Sequence, residues 1–256
     1  MDKIAFIGLH WTLYEMCLYF LLYSVVGWLV EVCYMTLEAG EFQNRGFLNG
    51  PMCPIYGFGV LLVIILLTPI QHRLSVLFLG SMLLCTVLEL LVGIFMKKMF
   101  HNVWWDYSHE RFNLHGYICL KISIAWGLAC VLMMRVVQPL IEKLVGMMPV
   151  LLGEIIIYVS FAGILLDLVI SLSVINKLNL RLKEIDEISK NLRIASEAIG
   201  SNLSAEVLDL KAKYDKLISQ KRLTQERLIK AFPSMQSLNY SKALETLRQK
   251  IKIRKE

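Results

Sequence analysis

The sequence predicts an all-α protein: a polytopic membrane helix bundle of about five transmembrane helices with a C-terminal cytoplasmic helical or coiled-coil tail. Three observations predict it. Hydrophobic residues make up 56% of the 256, and the mean hydropathy is +0.57. Apolar runs long enough to cross about 30 Å of hydrocarbon recur along the first two-thirds of the chain. Charge then divides the molecule: residues 1–176 carry 9 Lys/Arg against 11 Asp/Glu, whereas residues 177–256 carry 18 against 10. The predicted organisation is a transmembrane helical domain over 1–176 and a basic cytoplasmic helical tail over 177–256.

The first span covers 11–37. Asp2 and Lys3 are the only charges before it, and no basic segment or small-residue cleavage site brackets it, so it reads as a retained span. The loop that follows contains Asn44-Arg-Gly-Phe-Leu-Asn-Gly-Pro-Met-Cys-Pro-Ile-Tyr-Gly57. Gly46 and Gly50 are free to take positive φ, Pro51 and Pro54 fix φ, and Pro54 suits the first turn of the next helix. So many backbone constraints suit a loop of fixed shape at a membrane surface. The second span, 54–70, is the shortest because Pro69 ends it, and the third covers 74–96. In the loop over 101–116, Trp104, Trp105 and Tyr107 suit the interfacial layer, with Asp106, Arg111 and Asn113 beside them. The fourth and fifth spans cover 115–137 and 150–176.

The tail reads as helical. Leu178, Leu182, Ile185, Leu192 and Ile199 keep heptad-like spacing up to a break at Gly200-Ser-Asn202. Leu203, Val207, Leu210, Tyr214 and Leu217 form a second stripe, Phe232-Pro-Ser-Met a second break, and Ser241 the cap of a terminal helix. A coiled coil that self-associates through residues 177–256 and an intramolecular hairpin both fit.

The basic start of the tail at Lys177, Arg181 and Lys183 places it in the cytoplasm, with the N-terminus outside. The six cysteines lie in or beside spans without a CxxC pair, which suits buried, reduced thiols. A parallel links the first four spans: Glu31 precedes Gly50-Pro-Met-Cys53, and Glu89 precedes Gly116-Tyr-Ile-Cys119. Chance and duplication both account for it.

An ionisable group inside a span costs several kcal/mol unless it is paired. Glu31 and Glu89 sit about 9–10 Å inside their spans at 1.5 Å per residue, and Asp167 lies near the middle of the fifth. They are expected to line a polar pocket entered from the cytoplasm, with Arg45 and Lys121 as counter-ions. The candidate substrate- or partner-binding cluster is Glu31, Arg45, Asn49, Glu89, Asp106, Asn113 and Lys121. The plainer alternative is that the carboxylates pair only to lock helices together. His101, Asp106, His109, Glu110 and His115 lie close in sequence but lack the HExxH spacing, so no metal site and no cofactor is expected. Walker A, GxSxG and GxGxxG motifs are absent, which argues against ATP hydrolysis by this chain. The tail's basic charge suits an anionic lipid surface, and no nucleic-acid partner is expected.

Gly27-Trp-Leu-Val-Glu31, Asn44-Arg-Gly-Phe47, Gly50-Pro-Met-Cys-Pro-Ile-Tyr-Gly57, Trp105-Asp-Tyr-Ser108, Asn113-Leu-His-Gly116, Ile118-Cys-Leu120 and Trp126-Gly127 together resemble a signature. It is that of the CmpB-like group of bacterial integral membrane proteins, which carries the label ABC-transporter type IV. The resemblance spans roughly 15–175, and its motif positions include Asn44, Gly46, Gly50, Pro51, Cys53, Pro54, Tyr56, Gly57, Trp105, Tyr107 and Gly116. It implies a multi-pass permease or transporter-associated subunit in the cell membrane, with the bilayer as one partner and a separate ATPase subunit as another. It transfers no catalytic residue. Two other classes remain open: a membrane-embedded enzyme acting on lipid or isoprenoid headgroups, and a scaffold whose tail recruits partners.

Overall fold

The computed structural model describes residues 11–198 and 205–253. The apolar helices are α1 (Leu13–Ala39), α2 (Pro54–Leu67), α3 (Leu74–Phe100), α4 (Leu120–Leu132), α5 (Gln138–Met147) and α6 (Val150–Ala198). The tail adds α7 (Ala205–Ser219), α8 (Leu223–Ala231) and α9 (Ser241–Ile253). Among the described residues, strands are limited to two-residue pairs: β1 (Asn102–Val103) with β4 (Gln236–Ser237), and β2 (Asn113–Leu114) with β3 (Ile118–Cys119), both antiparallel.

Among the described residues, four stretches are long and apolar enough to cross a membrane: Leu13–Leu37, Leu74–Phe100, Leu120–Met147 and Val150–Ala195. Pro54–Ile70 is shorter; its 17 residues reach about 25 Å, below the hydrocarbon thickness. Pro69 lies in the 3₁₀ turn Thr68–Ile70 that closes it, as the sequence predicts. The fourth span differs from expectation at both ends. It starts at Leu120 because the preceding residues pair as β2 and β3. It then runs past Pro139 to Met147 through a π turn at Met133–Val137. A proline cannot donate its own N–H and crowds the carbonyl four residues back; the wider turn just before Pro139 accommodates both.

Local chemistry sets the start and stop of α1. Thr12 Oγ1 accepts from Glu15 N at 3.2 Å while Glu15 Oε2 accepts from Thr12 N at 2.6 Å. This reciprocal capping is typically worth ~1 kcal/mol and gives Glu15 a structural role. Gly40, at φ 70°, closes the helix in the left-handed conformation.

Packing divides the chain differently from charge. Among the described residues, one compact unit lies within 1–95 and 106–169, and the other within 96–105 and 170–256. In the first, α1 is central: Leu18, Tyr19 and Tyr23 are buried with Val63, Ile64, Leu77, Met133 and Met134. The Tyr23 hydroxyl donates to Gln138 Oε1 at 2.6 Å, which satisfies both buried groups. The α1–α2 contact is close because Gly27 and Gly57 face bulky neighbours. A Cβ on Gly27 would run into the Tyr56 ring, and one on Gly57 into Ser24 and the Phe20 carbonyl.

The second unit is built on the continuation of α6. Of the heptad-spaced seam, Leu178, Leu182 and Ile185 are each at most 1% exposed and covered by this same chain, as is neighbouring Ile175, whereas Leu192 is half-buried. Leu228, Met235, Leu244 and Leu247 are buried in the same unit. Arg181, 4% exposed, donates to the carbonyls of Leu217 and Gln220 at the end of α7 and to Gln225 Oε1. Its cation thereby satisfies carbonyls that a helix end leaves without partners. Trp104 packs edge-on against Phe232 at 4.8 Å, and Asn179 Nδ2 donates to the Phe100 carbonyl at 3.1 Å. Ile199, Leu203 and the expected break at Gly200-Ser-Asn202 lie outside the described residues. The break at Phe232-Pro-Ser-Met separates α8 from β4, and α9 begins at Ser241.

Candidate functional site at the helix ends

The loop after α1 is shaped by side chains. Asn44 Oδ1 accepts from Trp28 Nε1 at 2.8 Å and from Gly46 N at 3.0 Å, and its Nδ2 donates to the Asn49 carbonyl at 2.7 Å. Asp167 on α6 holds the next turn. Its Oδ1 accepts from Asn49 N at 3.1 Å and from Asn49 Nδ2 at 2.8 Å, and its Oδ2 accepts from Gly50 N at 2.7 Å. Neither Gly46 nor Gly50 uses positive φ; among the described glycines Gly40 and Gly116 do. The two loop glycines allow close approach instead. A Cβ would meet Asn44 Oδ1 at 3.2 Å at Gly46, and Asp167 Oδ2 at 3.2 Å at Gly50. Cys53 then donates its backbone N–H to the Ser24 carbonyl at 2.9 Å, and Pro54 opens α2 as predicted.

This loop delivers Arg45 to the end of α1. Arg45 Nε lies 3.2 Å from Glu31 Oε2, with side-chain exposures of 28% and 26%. Its guanidinium also reaches Met35 Sδ at 2.9 Å and sits 5.9 Å from the Tyr34 ring centroid. The Tyr56 hydroxyl donates to Glu31 Oε1. Glu31 therefore has a cation on one oxygen and a phenol on the other, which offsets the cost of placing it inside a span.

A second carboxylate lies nearby. The Tyr107 hydroxyl donates to Glu89 Oε1 at 3.2 Å. Glu89 Oε2 and Trp126 Nε1 are buried and close together without meeting hydrogen-bond geometry. The Tyr56 and Trp126 rings touch edge-on at 5.6 Å, so an aromatic contact joins the two carboxylate centres. Burial and the Glu89 carboxylate push the Tyr107 phenol above its usual range, while Arg45 opposes the shift. The Cys53 thiol is pushed up to about 12 by burial and by Glu31, again opposed by Arg45. Arg45 is thus the cation felt by both centres, and Tyr107 and Cys53 stay neutral donors at neutral pH.

The predicted cluster is brought together in part. Glu31 and Arg45 pair directly, and Glu89 joins them through Tyr56 and Trp126. Asn49 serves the Asp167 clasp. Asp106 and Asn113 fold the second loop: Asp106 Oδ1 accepts from Ser108 N at 2.9 Å, and Asn113 donates to the carbonyls of Ser108 and Glu110. Lys121 pairs with Glu110 at 3.0 Å instead of an intramembrane carboxylate. Tyr56 and Tyr107, expected as motif positions, are the direct partners of the two glutamates, and Trp126 was not expected in the site. A tryptophan one or two turns inside a span was the available signal, but core packing explains such a residue equally well. The suspected duplication has a geometric counterpart. Cys53 immediately precedes α2, Cys119 immediately precedes α4, and each preceding helix carries a glutamate that accepts from a tyrosine. Among the described residues no group of three His, Cys, Asp or Glu side chains could hold a metal ion.

Apolar helices of membrane-crossing length, with a carboxylate–arginine–tyrosine network near their ends, define a polytopic α-helical membrane protein. The chain belongs to the family described as Putative ABC-transporter type IV, the CmpB group, whose model matches residues 18–172. No curated protein and no solved structure matches it.

Proposed function

We propose that this chain is a non-enzymatic membrane subunit of an ABC-type transport system, of the permease or transporter-associated kind, energised by a separate ATPase. In this proposal the N-terminus is outside and the tail cytoplasmic, and the Glu31–Arg45–Glu89 network contacts a polar solute or the partner subunit. One observation carries the reading: the segment matching the family contains every member of the network, including its tyrosines and Asp167. A charged pair with both partners about a quarter exposed is also accessible enough to exchange partners.

The test has two arms. Glu31→Gln keeps the shape but removes the charge that holds Arg45, and Arg45→Ala leaves Glu31 with only the phenol. Both variants are expected to reach the membrane folded and to lose at least tenfold in transport or in retention of a co-purifying ATPase. Loss of the folded protein in both variants would show that the pair only locks helices. Repeated purification from native membranes without any ATPase would sink the transporter assignment itself.

A further inference from the structure

We infer that the outer face of the α3–α4 loop binds the headgroup of an anionic phospholipid. The loop and the start of α4 enclose an open cavity of about 630 Å³. Its polar lining is Arg111, Lys121, His109 and one carboxylate, Glu110, and its apolar lining Phe112, Leu120 and Ile124. The apolar side does not end at the cavity. Leu120, Ile124, Leu128 and Leu132, each one turn further along the span, are 40–60% exposed and form a continuous ridge. A phosphate between Arg111 and Lys121 would therefore have its acyl chains laid along that ridge. A soluble anion would leave the ridge unused.

Two local features support an anion here. Cys119, which precedes α4, makes no side-chain capping bond, and the first turn carries no acidic residue. The positive end of the α4 dipole thus lies beside Lys121 without a first-turn carboxylate to offset it, although the Leu120 N–H is itself taken by the Phe112 carbonyl. Lys121 is engaged by Glu110 at 3.0 Å, but with 71% and 42% of the side chains exposed the pair is screened by solvent and weak. A phosphate can displace Glu110 at little cost. The backbone also presents an aromatic ring outward. Phe112 sits at φ 54° and is 82% exposed, and its carbonyl accepts from Leu120 N at 3.3 Å. A bulky residue in the left-handed region is uncommon, and here that conformation leaves the ring exposed beside the cavity, where an aromatic suits the interfacial layer. This inference does not depend on the transporter assignment.

The test uses the full chain, delipidated in neutral detergent and titrated with phosphatidylglycerol while its thermal unfolding is followed. Each cation near an anionic lipid surface contributes about fivefold in affinity, so R111Q/K121Q is expected to weaken binding on the order of 30-fold. Both side chains are exposed, and circular dichroism checks that the fold is kept. E110Q removes the competing carboxylate and is expected to bind about three- to fivefold more tightly. Phosphatidylcholine and inorganic phosphate are expected to give little stabilisation. Equal affinity in the wild type and R111Q/K121Q, no gain in E110Q, or a full shift from inorganic phosphate alone would each overturn the inference.

Discussion

At the scale of single residues, Gly27 sets the distance on which the site depends. In a helix interior alanine is favoured over glycine by about 1 kcal/mol, so propensity alone would make Gly27→Ala stabilising. The added methyl would run into the half-buried Tyr56 ring, which is held on Glu31 and against Trp126. Overpacking of this kind costs about 1–3 kcal/mol, and moving the ring aside would break its bond to Glu31 or its contact with Trp126. The expected outcome is a net loss of stability in detergent, read by thermal unfolding; an unchanged or higher midpoint would show that α1 and α2 separate freely. Cys53 gives a second test at this scale. With its thiol pushed up to about 12, the thiolate fraction at pH 8 is roughly a thousandfold below that of an ordinary cysteine near 8.5. Alkylation of Cys53 in the folded protein is expected to be slower than in the denatured chain by about that factor, read by mass spectrometry. The sign follows from the raised value: the contribution to stability is complete below the unfolded pKa and is lost as pH rises toward 12.

Among the elements, the loop between α1 and α2 owes its shape to a carboxylate 117 and 118 residues away. Asp167→Ala would remove the acceptor for Asn49 N and Gly50 N together. At about 1.5–3 kcal/mol for a hydrogen bond to a charged group, exchange of those two amides is expected to speed up 10- to 100-fold. Hydrogen exchange resolved to the loop peptide checks this; unchanged protection would mean that Asn44 holds the loop unaided. The same element shows what sequence could and could not supply. The spans were legible because a run of apolar residues has few other uses, and the shortness of the second followed from Pro69. Glu31 with Arg45 was legible because a carboxylate in a span needs a cation and Arg45 is nearby in the chain. The Asp167 clasp was not, since backbone N–H groups are donors in every residue and mark no position. Nor was the backbone strain, which falls on His101, Phe112 and His115 in the second loop, while glycine content pointed to Gly46 and Gly50 in the first. Those glycines admit a neighbouring oxygen, a use that composition does not separate from turning the chain.

For the whole molecule, the two compact units change what removing the tail would mean. Charge suggests a cut at 177, which would leave a bare membrane part and test whether the tail acts alone. Packing shows that such a cut passes through the second unit. It would remove β4 from β1, Phe232 from Trp104 and Asn179 from the Phe100 carbonyl, stripping residues 96–105 of their partners. The truncated chain is therefore expected to expose Trp104, which is 3% exposed when intact, and to loosen the last turn of α3. Limited trypsin digestion reads this out, because Lys97 and Lys98 lie in that turn. Cleavage there should be much faster in the truncated chain than in the intact one. Phe232→Ala provides the control, opening the same contact while leaving α6 whole, and should raise cleavage at the same lysines to a smaller degree. If cleavage is unchanged in both, residues 96–105 hold their shape without the tail, and loss of function on truncation can be assigned to what the tail binds. If cleavage rises as expected, that loss is first a folding defect, and the role of the tail must be tested with substitutions on its exposed faces.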